Sequence, residues 1–278
     1  MENAAKALLI AAGVLIAILV LSLLVVAYTQ MSDYYQQQHE AVIIEQTKEF
    51  NSQFENYNRK QIRGSDIISL MNRVIDYNSR EAHEIGKNYL PILVEIKIGD
   101  AAIIEQFRYP DEDNNFGSAS DFIPTEISNK TGTPSRENDK KLKIITTKED
   151  ELLERYKVLL PNISVGQLQS LASEIGNIII NEDGDTQWDI LNREKRASKL
   201  SAIFKETIQI DPSNGKSTGR SKNIINAAKE IAYEYYQYTQ FKRAYFDCIE
   251  VLYDEKTGRV CEMEFELRIN SNGNVEFN

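Results

Sequence analysis

A chain of 278 residues that is 42% hydrophobic and 27% charged has the composition of a folded protein, which excludes a wholly disordered one. Its formal net charge of −10 argues against nucleic acid as a main partner, because an acidic surface repels phosphate backbones. With 2 histidines and 2 cysteines, it has few residues for metal catalysis or for a disulfide-stapled scaffold.

From Ala7 to Tyr28 the chain carries no charge and is dominated by Leu, Ile, Val and Ala. At about 1.5 Å per residue this stretch reaches roughly 33 Å as a helix, enough to cross a hydrocarbon layer of about 30 Å. It exceeds the roughly 7 to 15 apolar residues of a signal-peptide core, and Tyr28-Thr29-Gln30-Met31-Ser32 continues in helical fashion. A retained single-pass anchor over residues 1–29 is therefore expected rather than a cleaved signal. Lys6 precedes the span while Asp33, Glu40 and Glu45 follow it, so the N-terminus is expected in the cytoplasm and the soluble part outside the cell. Ala7 and Ala11, and then Gly13 and Ala17, are four apart. Such small-residue steps let helix backbones approach closely in lipid, which makes these four the candidate membrane-helix packing residues.

From Gln30 to about Gln61 there is no proline or glycine, and Met31, Tyr35, Val42, Ile43, Phe50, Phe54 and Tyr57 recur at helical spacing. The anchor is expected to continue as a stalk helix whose stripe packs on its own domain or on a neighbouring copy. Gly64-Ser65-Asp66 interrupts it. Ile67, Leu70, Met71, Val74 and Tyr77 then predict a second helix ending near Asn78. Leu90–Ile98 and Ala101–Phe107 read as two antiparallel strands turned at Gly99-Asp100. These elements make up residues 30–108, and a polar loop rich in Pro, Gly, Asn and Asp follows over 109–141.

The last stretch, 142–278, opens with an expected strand at Leu142–Thr146 and a helix at about Glu149–Leu159 that stops before Pro161. Ser164 and Gln167 form a capping box for a helix carrying Leu168, Leu171, Ile175 and Ile178. A helix over Trp188–Phe204 follows, with Arg193, Lys195, Arg196 and Lys199 on one face, and then a helix with Ile224, Ala228, Ile231, Tyr235 and Tyr238 on one face. The end reads as a β-meander: Tyr245–Tyr253, a turn at Glu255–Gly258, Val260–Ile269, then Asn272-Gly273 before Val275 and Phe277. Met263, Phe265, Leu267 and Ile269 alternate with Glu262, Glu264, Glu266 and Arg268, giving one buried and one wet face. The fold class this predicts is α+β, with an antiparallel sheet that includes the meander.

The motifs that carry chemistry elsewhere are incomplete here. Gly215-Lys216-Ser217-Thr218 resembles part of a P-loop, but Ile210 stands where the first glycine is needed to wrap phosphates. Asn181, Asp183 and Asp185 suggest a calcium loop, yet Thr186 and Asn192 occupy the places that require glycine and a bidentate glutamate. His39 and His83 sit on separate segments without Cys or carboxylate partners at ligand spacing, and no Gly-x-Ser-x-Gly elbow is present. If Ile249, Val251 and Tyr253 share a face with Met263 and Phe265, Cys248 points away from Cys261, so two free thiols are expected unless a bulge shifts the register. Tyr233, Tyr235, Tyr236, Tyr238, Phe241, Tyr245 and Phe246 form an aromatic cluster best read as a helix-to-strand corner in the core rather than a binding platform. No catalytic, cofactor-binding or metal residues are assigned, and the chain is not expected to be an enzyme.

The opening Met1-Glu2-Asn3-Ala4-Ala5-Lys6-Ala7-Leu8-Leu9-Ile10-Ala11-Ala12-Gly13, then Phe50 to Phe54, Tyr57 and Gly64-Ser65-Asp66-Ile67, resembles a family of uncharacterised, membrane-anchored, pilin-like proteins of Gram-positive bacteria. Phe241 to Cys248 and Gly258-Arg259-Val260 are similar to the β-rich end of its longer members. The resemblance implies the type IV pilin plan, an apolar helix continuing as a stalk into a β-containing head. No glutamate occupies the fifth position of the apolar helix and no basic leader ending in glycine precedes it, so the architecture alone carries over. The expected function is a cell-envelope structural or assembly protein whose partners are membrane lipid and copies of itself or other envelope proteins. An extracellular binding or sensor module using the loop Tyr109–Lys141 is the alternative.

Overall fold

The computed structural model describes residues 2–84, 90–109, 122–130, 139–160, 164–173 and 187–278. The expected acidic turn at Asn181, Asp183 and Asp185, Ile175 and Ile178, the side chain of His83 and most of the loop Tyr109–Lys141 lie outside the described residues. The chain divides into two units, residues 1–53 with 255–259, and residues 54–254 with 260–278.

The first unit is built on α1, Glu2–Glu55, an unbroken helix. No proline or glycine lies between Gly13 and its end, so nothing in the sequence forces a break. Near its C-terminal end the helix holds the turn 255–259. The Thr47 hydroxyl donates to the Thr257 carbonyl at 3.3 Å, the Asn51 amide donates to the Gly258 carbonyl at 2.9 Å, and the Arg259 guanidinium stacks 5.1 Å from the Phe50 ring centre.

The second unit is α+β, as the sequence predicts. Its five-stranded sheet runs β1 (Ile62–Arg63), β4 (Tyr245–Tyr253), β5 (Val260–Leu267), β2 (Leu93–Lys97) and β3 (Glu126–Ser128). The sheet is mixed rather than wholly antiparallel, because β2 lies parallel to β5. Val94, Ile96, Ile127, Phe246, Met263, Phe265 and Leu267 are buried, and Glu95, Lys97, Glu262, Glu264 and Glu266 alternate with them.

The helices are α2 (Gly64–Glu84), α3 (Ala101–Glu105), α4 (Asp139–Thr146), α5 (Lys148–Leu159), α6 (Val165–Ser173), α7 (Gln187–Phe204) and α8 (Gly219–Arg243). Helix α8 is central to their packing and touches α2, α5 and α6, while α2 touches β1 and β2. Ile67, Leu70, Met71 and Val74 of α2 and Ile224, Ala228, Ile231, Tyr235 and Tyr238 of α8 are buried, confirming the stripes read from their spacing. Each large apolar side chain so buried contributes about 1.5 to 3 kcal/mol. One half of the α6 capping box is present, the Ser164 backbone N–H donating to Gln167 Oε1 at 2.9 Å, while the Ser164 hydroxyl donates to the same oxygen instead of accepting the Gln167 N–H.

Four further expectations are corrected. The segment Ala101–Phe107 is not a strand. Gly99 turns the chain at φ +131°, and the Asp100 carboxylate accepts the Ile103 N–H at 3.1 Å as the cap of α3. Both edges of β2 are already occupied, by β5 and β3. Leu142–Thr146 is helical in α4, where Leu142 and Ile145, three apart, are fully buried while Ile144 is exposed. Helix α2 continues past Asn78 to Glu84. Asn78 faces inward, its side chain accepting the Ile92 N–H at 2.9 Å and donating to the Ile92 carbonyl at 3.1 Å.

The fourth correction concerns strand parity. Phe246 pairs with Leu267 and Cys248 with Phe265, but the register shifts between Cys248 and Glu250 and again between Leu252 and Tyr253. Such bulges insert an unpaired residue and reverse the alternation beyond it. Ile249, the unpaired residue, is therefore exposed, Val251 still pairs with Met263, and Cys248 stands opposite Phe265. Both thiols are free, as expected, but the cause is register: Cys248 lies across from Phe265, and Cys261 sits by Leu252, whose carbonyl is 3.5 Å from its sulfur.

Candidate functional site

The sequence-designated residues Ala7, Ala11, Gly13 and Ala17 all lie exposed on α1. At about 100° per residue the pair Ala7/Ala11 and the pair Gly13/Ala17 fall on different faces of the helix. A Cβ added to Gly13 would have nothing within 4 Å. The stretch from Leu8 to Tyr28 leaves its large apolar side chains exposed, between 49% for Val20 and 78% for Tyr28, so the fold uses none of them as core. The Ser22 hydroxyl donates to the Leu19 carbonyl at 2.9 Å within the helix, and Thr29, just past the stretch, donates to the Val25 carbonyl. A helix in lipid requires this, because no water is present to pair a stray polar group. Among the described residues one helix, Glu2–Glu55, is long and apolar enough to span a membrane.

In the second unit the densest charge cluster was not singled out by the sequence reading. The Lys130 ammonium, just past β3, donates to Glu95 at 2.8 Å and is also bonded to Glu262 and Glu264. Lys97 adds contacts to Glu95 at 3.7 Å and Glu264 at 3.5 Å. The parallel register places Glu95 opposite Glu264, so two like charges face each other across strands and need a cation between them. Burial opposes the charge on Lys130, but its hydrogen bonds to Glu262, Glu264 and Glu95 outweigh that and hold its pKa above the ordinary value. The hydrogen bond from Lys130 keeps the Glu264 carboxyl below the usual carboxylate range. The alternating glutamates of β5 and β2 signalled this cluster, but the parallel pairing that joins them was not legible.

A second cluster lies between α5 and α8. Glu234, nearly buried, accepts Lys148 at 3.0 Å and Arg155 at 2.8 Å. The Lys148 ammonium also sits 4.7 Å from the Phe122 ring centre. Beside it the Tyr235 hydroxyl donates to Glu149 at 3.1 Å, and burial, with the Glu149 charge second, pushes the Tyr235 phenol up to about 12. Every member is accounted for by a partner, which marks the cluster as a tie between helices.

The remaining motifs are structural. The loop Asp211–Thr218 is closed by an Ile210–Ser217 bridge, and Asp211 accepts the backbone N–H and hydroxyl of Ser213. Gly215 has φ +65°, and a Cβ there would lie 2.9 Å from Arg193 Cδ and 3.3 Å from Ile190 Cα. The glycine is thus required by packing on α7. Of the aromatic cluster, Tyr233, Tyr235, Tyr238, Phe241 and Phe246 are buried, in agreement with the core reading. A cleft of about 390 Å³ between α6 and α8 is bordered by Tyr235, Tyr236, Lys242 and Arg243. Its cations serve the fold: Lys242 stacks 5.2 Å from the Tyr238 ring centre, and Arg243 donates to the Asn278 carbonyl oxygen. Among the described residues no group of three or more His, Cys, Asp or Glu is arranged to hold a metal.

Comparison with known proteins adds no relative: no family model, no curated protein and no solved structure matches the chain.

Proposed function

We propose that this chain is a single-pass membrane protein of the cell envelope with a structural or assembly role and a pilin-like plan, its α+β head carried outside the cell on a continuous anchor-and-stalk helix. The observation that carries this reading is the exposed apolar stretch of α1. A soluble protein that left so much contiguous apolar surface in water would aggregate, whereas a bilayer covers it. Lys6 before the span and the acids after it support the orientation. The partners this assigns are lipid and other copies of the chain or of envelope proteins, and the resemblance to membrane-anchored pilin-like proteins supports the same plan.

Alkaline carbonate extraction of membranes, followed by intact mass of the retained chain, tests the anchor. The full chain stays in the pellet with residues 7–28 attached. Release into the supernatant, or a mature chain beginning after Tyr28, overturns the reading. Electron microscopy of the detergent-purified chain tests assembly, for which ordered oligomers or filaments are expected and a monodisperse monomer counts against it.

A further inference from the structure

We infer that Asn272 is a site of spontaneous covalent modification, whose carboxamide closes on the Gly273 nitrogen to a succinimide that water opens to isoaspartate or aspartate. The fold protects the identical triplet Ser213-Asn214-Gly215 from the same reaction. Ser-Asn-Gly occurs twice in the chain, at 213–215 and at 271–273. Glycine after asparagine leaves the attacking nitrogen unshielded, because no Cβ stands beside it. The two triplets are equal in sequence, so any difference between them comes from their surroundings. Both lie within the second unit, and neither depends on the anchor.

At Asn214 each end of the carboxamide is held. Its Nδ2 donates to Asp211 Oδ2 at 3.1 Å, and its Oδ1 accepts the Lys216 N–H at 2.9 Å. Gly215 is buried against Arg193 and Ile190, and its N–H donates to the Asp211 carbonyl at 2.7 Å. Turning the carboxamide toward the glycine nitrogen therefore breaks two side-chain hydrogen bonds, and the packed glycine has little room to meet it. Asn272 is placed differently, at the exposed tip of the turn closed by the Ile269–Val275 bridge. Its backbone N–H donates to Asn270 Oδ1 at 2.9 Å, but among the described residues its carboxamide makes no hydrogen bond. Gly273 is exposed at φ +79°, with nothing within 4 Å of an added Cβ. Its N–H donates to the Asn270 carbonyl at 3.0 Å, and that one bond is all that must open.

In the reaction the Gly273 nitrogen gives up its proton and bonds to Asn272 Cγ, while the Cγ–Nδ2 bond breaks and ammonia leaves. Water then opens the ring, and nothing is oxidised or reduced. Cleavage at the main-chain carbonyl leaves isoaspartate, which routes the chain through Cβ and adds one backbone atom. Cleavage at Cγ leaves aspartate. Either product puts a negative charge where the amide was neutral. The turn is tied to the end of α3, because the Gly273 carbonyl accepts Gln106 Nε2 at 3.1 Å and the Val275 N–H donates to Gln106 Oε1 at 2.9 Å. An added backbone atom at position 272 therefore strains that pair of bonds.

The test follows both triplets in the full chain, held in detergent at mildly alkaline pH and sampled over days, once folded and once in guanidinium. Near-ultraviolet circular dichroism checks that the first sample stays folded. Brief tryptic digestion yields the peptides 206–216 and 269–278. Tandem mass spectrometry assigns the amide-to-acid mass gain to one asparagine, and electron-transfer fragmentation separates isoaspartate from aspartate. In the folded chain Asn272 is expected to convert at least about fivefold faster than Asn214, which must first lose its two side-chain hydrogen bonds. In guanidinium, with both triplets open, the rates converge. Equal rates in the folded chain, or conversion led by Asn214, Asn270 or Asn274, overturn the inference. A difference that survives in guanidinium also overturns it, because the flanking sequence and not the fold would then set the rates.

Discussion

A Cβ placed on Gly64 would lie 1.8 Å from the carbonyl oxygen of Phe241, the last turn of one helix pressed against the first residue of another. The contact is backbone on backbone, so no side chain can move aside. The Gly64 N–H donates to the Ala244 carbonyl at 2.8 Å, and next to it β1 pairs Ile62 with Phe246 and Arg63 with Tyr245. The Cys248 N–H reaches the Arg59 carbonyl, and Asp247 accepts the Gln61 N–H. The segments around residues 57–67 and 241–248 thus meet backbone to backbone within the second unit.

Gly64→Ala is therefore expected to cost at least about 3 kcal/mol, the upper end for overpacking, because the backbone itself must separate. Thermal unfolding of the detergent-solubilised chain, followed by near-ultraviolet circular dichroism, measures it. Gly13→Ala is the control: its added methyl meets nothing within 4 Å and should leave the head's transition where it was. Equal midpoints for the two variants would refute the account of Gly64.

Lys130→Met should destabilise the head near neutral pH by leaving Glu95, Glu262 and Glu264 together without their shared cation. The pH dependence has a definite sign. Glu264 is held below its ordinary value, so in the wild type its pairing stabilises above the ordinary carboxylate range and is lost as pH falls through the lowered pKa. Lys130 is held above its ordinary 10.5, so its share is present below that pH and fades only as pH rises through the raised value. In the variant the crowded carboxylates favour protonation, so the stability gap should narrow as pH drops toward about 4. Unfolding midpoints across pH would contradict this if the gap widened on acidification.

What the sequence disclosed and what it hid divide along local and long-range physics. The stripes of α2 and α8, the Ser164–Gln167 cap and the ends of β4 were legible because spacing and capping chemistry sit within a few residues. The errors at 101–107 and 142–146 have one source. Short apolar runs such as Ala-Ala-Ile-Ile fit either period, and here tertiary neighbours decide, β5 and β3 having filled both edges of β2. The bulges at Ile249 and near Tyr253 could not be read either, since they depend on what β4 faces. For the same reason the Lys130 cluster was hidden: its members come from β2, β5 and the end of β3, joined by a parallel pairing across some 170 residues. The four small residues of the apolar span were readable as a pattern, and their spacing alone already puts Ala7 with Ala11 and Gly13 with Ala17 on two different faces.

Tyr156 makes a cleaner test of the core. It is fully buried, packs edge-on against Phe204, and its hydroxyl has no hydrogen-bond partner among the described residues. Burial pushes the phenol's pKa up accordingly. Removing an unpaired buried hydroxyl recovers its desolvation cost, so Tyr156→Phe should stabilise by about 1 kcal/mol. Chemical denaturation of both proteins in one detergent measures the difference, and a loss of stability would reveal a partner for the hydroxyl.

Glu234→Ala should do the reverse. It leaves Lys148, 7% exposed at its side chain, with only the more exposed Glu151 at 3.3 Å, and removes the closest acceptor of Arg155. Breaking one side of a buried pair costs about 3 to 5 kcal/mol, whereas replacing both partners with apolar residues of similar volume is close to neutral. The double variant Glu234→Leu with Lys148→Met should therefore unfold later than Glu234→Ala alone. If the two unfold together, the tie between α5 and α8 has another origin.

The two thiols offer a test of which side of the membrane the head occupies. Both are half-buried, and burial raises each pKa, with the charges of Asp254 and Glu262 adding to the effect at Cys261. Their reaction with maleimide should accordingly be slow at neutral pH and quicken as pH rises and the thiolate fraction grows. In denaturant without reductant, intact mass should show two labels per chain, because the register keeps Cys248 and Cys261 from bridging. Applied to intact cells at mildly alkaline pH, a membrane-impermeant maleimide should reach both if the head lies outside. Labelling that appears only after lysis would place the head in the cytoplasm and reverse the orientation drawn from Lys6 and Asp33.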